Sequence, residues 1–116
     1  MSTKHFEFQN LGRQNLEESC RATLEAADKL SPTSRCDFKW DAPGTAFSKP
    51  PPNTIALLID ATKIDGSARI LDENSEQVFA VGVEVENKGY QVLVLIEQGW
   101  ELFTQRQVDI AWIVAT

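Results

Sequence analysis

The sequence predicts an α+β fold, with one N-terminal amphipathic helix packed on a mainly antiparallel, curved sheet of about five or six strands. Three observations carry that expectation. Residues 15–30 repeat their apolar positions every three or four residues, the period of a helix with one buried stripe. From residue 54 onward the period becomes that of strands, and turn-forming residues recur between the apolar runs. Finally, 116 residues, 42% of them hydrophobic and 24% charged, suffice for one domain over 1–116 that needs neither disulfides nor metal.

The elements follow in order. "KHFEFQ" alternates Phe6 and Phe8 with polar residues and reads as a short strand. Asn15 then reads as a helix N-cap, with Glu18 in the capping-box position. Leu16, Cys20, Leu24, Ala27 and Leu30 form the stripe, while Glu17–Arg21 and Glu25–Lys29 form i, i+4 pairs on the outer side. Ser31-Pro32 ends the helix. "CDFKW" is a second short strand, and residues 41–53, with four prolines and one glycine, form a connecting loop. Within it Pro50, Pro51 and Pro52 hold an extended rod, serving as a stiff connector with Phe47 tucked onto the core rather than as bait for a proline-binding module.

Strand-like runs then follow one another. "TIALLID" is a continuous apolar run and "SARILD" a weaker one. "DENSE" is a turn, after which "QVFAVGVEVE" alternates apolar and polar faces. "NKG" leads by a hairpin into "YQVLVLIE", "QGW" turns again, and "QVDIAWIVAT" is the last strand. A helix laid on a curved antiparallel sheet resembles the plan of cystatin-like and nuclear-transport-factor-like folds. The likeness is one of architecture and implies no activity.

Three of these strands are apolar on both faces. Residues 90–96 show Tyr90, Val92, Val94 and Ile96 on one side and Leu93 and Leu95 on the other. The last strand shows Val108, Ile110, Trp112 and Val114 against Ala111, Ile113 and Ala115, and "IALLI" behaves likewise. Strands of that kind are covered on both faces, and one helix covers only one. The second cover is then a second copy of the chain, the proline-rich loop, or another protein. A last strand guarded by neither charge nor proline also fits pairing, in its own sheet or across an interface. A homodimer is the expected answer, with Leu93, Leu95, Ile110, Trp112 and Ile113 as candidate interface residues.

Recognisable chemistry is sparse. The chain has no glycine-rich phosphate loop and no GxSxG nucleophile elbow. His5 and the separated Cys20 and Cys36 do not make a metal set, so no metal or cofactor is expected, and both thiols read as reduced core residues. Glu84 and Glu86 share a strand face that solvent exposure explains, and Asp60, Lys63 and Asp65 read as turn residues. The aromatic residues say more. Trp40, Phe47, Tyr90, Trp100 and Phe103 could line a pocket between helix and sheet for a small apolar or cationic ligand. Trp100, following a turn glycine, is the best contact residue among the three tryptophans.

The net charge of −6 is unevenly placed. Residues 1–63 carry eight basic and eight acidic side chains, whereas residues 64–116 carry nine acidic and three basic ones. Such a surface repels phosphate backbones and anionic lipid, so nucleic acid and membrane partners are not expected. A basic protein partner would be attracted. "MSTKHFEFQN" lacks the apolar core of a secretion signal, and no apolar run approaches the roughly 20 residues of a spanning helix. The sequence thus points to a cytoplasmic, non-catalytic interaction protein that self-associates, with a small-molecule binding domain as the alternative.

Overall fold

The computed structural model describes residues 4–61, 67–81, 90–105 and 108–116. The chain begins with β1 (His5–Gln9), α1 (Arg13–Ala26), β2 (Cys36–Asp41) and β3 (Ala46–Ser48). It continues through β4 (Thr54–Ala61), β5 (Ser67–Leu71), β6 (Gln77–Ala80), β7 (Tyr90–Leu95), β8 (Glu101–Gln105) and β9 (Asp109–Ala115). The α+β class is as expected, but the strands form two antiparallel sheets instead of one. The first has the order β1-β7-β4-β9-β2, and the second β3-β8-β5-β6.

The helix starts earlier than Asn15. Gly12, with extended backbone (φ −64°, ψ 157°), is the N-cap, and no side chain caps the first turn. Its carbonyl accepts the Leu16 N–H at 2.8 Å, so Asn15 lies within the first turn, where it cannot act as cap. The helix also stops short of Leu30. Asp28 adopts φ 58°, its N–H reaches Glu25 O at 3.1 Å, and Lys29 N–H reaches Leu24 O at 2.9 Å. These crossed bonds are a Schellman ending, with an aspartate in the left-handed position that glycine more often takes. Leu16, Cys20 and Leu24 are fully buried, and Leu30 joins them from beyond the helix end.

The expected two-faced strands occupy the middle of the first sheet, and the registers explain their composition. β4 lies between β7 and β9, pairing Leu58 with both Leu93 and Ala111. A bulge at Ile55 shifts the β4–β9 register after Thr54. On one face Ala56, Leu58, Leu93, Ala111 and Ile113 meet the helix stripe, with Phe6, Phe8 and Phe38 packed at the margins. On the other face Leu57, Ile59, Val92, Val94, Ile110, Trp112 and Val114 meet Ala68, Ile70, Phe79 and Leu102 of the second sheet. Each leucine removed from water in these layers contributes about 1.5–3 kcal/mol.

The second apolar face is therefore covered by the chain itself. Of the covers expected from the sequence only the proline-rich loop contributes, through β3; the rest is a second sheet in which neither β3 nor β8 reads as a strand. β3 is a three-residue strand inside what reads as a proline-rich loop, and β8 shows only Leu102 and Thr104 to the core. β9 pairs on both sides within its own sheet, with β4 and β2. The rest of the alternation over 82–86, including Glu84 and Glu86, lies outside the described residues.

Candidate functional site

The structure places four of the five candidate interface residues inside the chain. Leu93 and Ile113 lie under the helix and Ile110 and Trp112 lie between the sheets, all four buried. Leu95 is half-buried at the helix-side margin. The helix covers the first pair and the second sheet the second, so the apolar faces that suggested a partner subunit are already satisfied.

The candidate pocket residues do not share one pocket. Trp40, on β2, turns toward the helix, where its Nε1 donates to Glu17 Oε2 at 2.7 Å. The Arg13 guanidinium lies 3.8 Å from the Trp40 ring centroid and 3.9 Å from Asp109 Oδ2, fastening the first helical turn to β2 and β9. Phe47 does not tuck onto the core: Leu102 and Thr104 take the inward positions of β8, so Phe103 and the Phe47 opposite it lie together on the outer face of the second sheet, ring centroids 4.5 Å apart. The side chain of Tyr90 lies outside what is described. The space beneath the helix is filled by core side chains.

Trp100 is elsewhere again, where two turns meet at one end of the sheets. The β7–β8 turn closes through a hydrogen bond from Trp100 N–H to Glu97 O at 3.3 Å, with Gly99 at φ +90°. A side chain at Gly99 would be strained, and its Cβ would approach Glu73 Cβ to 3.3 Å. That contact seats the β7–β8 turn against the β5–β6 turn. The latter is held by Asp72, whose Oδ1 accepts from Asn74 N–H (2.8 Å) and Glu76 N–H (3.0 Å). An aspartate bonding its own turn in this way fixes the loop without a regular strand.

Trp100 is half-buried at this junction. One side of it meets a narrow apolar seam formed with Pro50, Leu57, Ile70, Leu102 and Trp112. It also lines two clefts. The first, of about 540 Å³, runs between Pro50–Pro52 and the β7–β8 turn, with Lys49, Glu97 and Glu101 at its walls. The second, of about 1000 Å³, is bounded by Asp72, Glu73 and Glu76 with Lys4 and Lys29, and shares Ile96, Glu97 and Trp100 with the first. Together the two walls carry five carboxylates (Asp72, Glu73, Glu76, Glu97, Glu101) and three lysines (Lys4, Lys29, Lys49), a balance of −2.

The prolines are part of this wall. Pro50 and Pro51 are half-buried, and Pro51 O accepts from the Thr54 hydroxyl at 2.6 Å. The sequence identified Trp100 as the contact residue but not its neighbours. "DENSE" and "QGW" each read as a turn, and nothing local says that the two turns touch.

The cysteines are core residues. Both are free and buried. Burial, then the neighbouring Cys36 and Glu17, push the Cys20 thiol up to about 12. Burial also raises Cys36, though Arg21 opposes the shift. Neither thiol supplies a nucleophilic thiolate near neutral pH. Asp60 Oδ1 is buried without a hydrogen-bond partner among the described residues and stands across from Asp109 in the β4–β9 register. Among the described residues, no group of three or more His, Cys, Asp and Glu side chains is placed to hold a metal ion. No described helix is long and apolar enough to cross a membrane. No family model, curated protein or solved structure matches the chain.

Proposed function

We propose that this chain is a non-catalytic binding protein that takes a cation carried on an apolar stem against Trp100. The observation that carries the reading is the convergence on one half-buried tryptophan of two clefts whose walls carry five carboxylates against three lysines. An indole face attracts an ammonium or guanidinium group by about 0.5–2 kcal/mol, more as the site is drier. Glu97 and Glu101 supply the counter-charge, and Ile96 with Pro50–Pro52 supply apolar wall for the stem. The chemistry is shared by a free small cation and by an arginine or lysine side chain of a basic partner, so the acidic bias of residues 64–116 serves either source.

The test uses three hexyl compounds that differ only in the head group: hexylguanidinium, hexanoate and hexanol. Only hexylguanidinium is expected to change tryptophan fluorescence and raise the melting temperature, less so at high salt. Trp100→Ala is expected to abolish both responses while the variant stays folded. An equal response to hexanoate, or an unchanged response in Trp100→Ala, would overturn the reading.

A further inference from the structure

A second surface stands apart from the Trp100 clefts. Phe47, on β3, is 63% exposed, the one large hydrophobic side chain so exposed among the described residues. It opposes Phe103 in the β3–β8 register, and Phe103 in turn opposes Arg69 in the β5–β8 register. The Arg69 guanidinium lies 5.0 Å from the Phe103 ring centroid. Phe47, Phe103 and Arg69 therefore form one row across the outer face of the second sheet, which stops at Phe47 because β3 is the edge strand.

We infer that two copies of this chain pair through the free edge of β3, antiparallel and about a two-fold axis at Phe47. Such a contact is self-complementary: Phe47 faces the partner's Phe47, and Ala46 faces the partner's Ser48. It joins the two second sheets into one, and the aromatic row runs unbroken from Phe103 through both Phe47 rings to the partner's Phe103. Cross-strand aromatic pairs are among the more stabilising neighbours a sheet can hold.

Charge favours a second copy as the occupant. A chain of net charge −6 repels itself except where its surface is neutral or mixed in sign. The stretch from Ala42 to Ser48 carries no charged residue. The charges nearest along the chain and across the row are Asp41, Lys49, Arg69 and Glu101, two of each sign. Register is limited as well. Pro43 on one side and Pro50–Pro52 on the other lack the N–H a longer ladder needs, so the pairing is confined to β3. β3 is also held in place from behind, since the Thr104 hydroxyl donates to Gly44 O at 2.5 Å.

Three paired residues a side make a small contact, in the weak class below about 1,200 Å². The test is sedimentation equilibrium over a wide concentration series. The mass should rise from 13.0 kDa toward twice that value as concentration increases. Phe47→Lys should remain at the monomer mass throughout, with unchanged circular dichroism and a melting temperature lowered only slightly, by the lost contact with Phe103. Phe47→Ser, which adds no charge, should weaken association by about 10-fold or more. Gln77→Lys, on the opposite edge strand, should associate like the parent. A parent chain that stays at 13.0 kDa at every concentration, or a Phe47→Lys variant that associates as the parent does, would overturn the inference.

Discussion

Trp100 and Trp112 carry the same side chain to different ends. Trp112 is buried in the sheet-to-sheet core, while Trp100 rests on that core and leaves part of its ring at the cleft walls. Cys20 shows how burial sets chemistry at a single residue. Its thiol has an ordinary value of 9.0 and is pushed up to about 12 in the fold, chiefly by desolvation. The folded state thus holds the proton more tightly than the unfolded chain. The stabilisation this represents is fully present below pH 9 and is lost as pH rises through 9 toward 12. Urea unfolding should accordingly show stability falling across that window. Cys20→Ala should flatten the fall, at the cost of a small cavity under the helix. An alkaline profile identical in Cys20→Ala would show that other groups dominate it.

At the scale of elements, the legible part of the fold was its central layer. "IALLI", "YQVLVLI" and "VDIAWIVA" are apolar on both faces, and each became an inner strand of the first sheet with one face to the helix and one to the second sheet. The helix stripe was equally plain, but its ends were set by backbone. Gly12 and the left-handed Asp28 fix them, and neither Asn15 nor Ser31-Pro32 does. What escaped was the outer layer. β8 buries one leucine and one threonine, too little alternation to announce a strand, and β3 is hidden between prolines. The distinction is testable at Ile113. If its burial under α1 governs, Ile113→Asp should unfold the chain even at high dilution, costing on the order of 4 kcal/mol or more for an unpaired buried carboxylate. A variant that remained folded and merely failed to associate would instead restore Ile113 to a subunit interface. Circular dichroism with sedimentation separates the two.

Over the whole molecule, three layers leave little apolar surface without a cover, and function moves to the margins where turns and edges meet. The candidate site drew only partly on legible features. Trp100 and the acidic bias could be read from the chain, but the meeting of the β5–β6 and β7–β8 turns depends on how the two sheets stack. That meeting places Glu73, Glu76, Glu97 and Glu101 in the walls of the two clefts that Trp100 also lines, together with Lys4, Lys29 and Lys49. The other aromatic residues are accounted for by packing at the helix base and on the outer sheet. Cation binding therefore rests on one tryptophan out of three. The most direct measurement is a nitrogen–proton NMR titration that follows the three indole N–H signals as hexylguanidinium is added. The Trp100 signal should shift alone and saturate, while those of Trp40, bonded to Glu17, and of buried Trp112 stay in place. No saturable shift, or a larger shift at Trp40 or Trp112 than at Trp100, would show that the cation does not bind at Trp100.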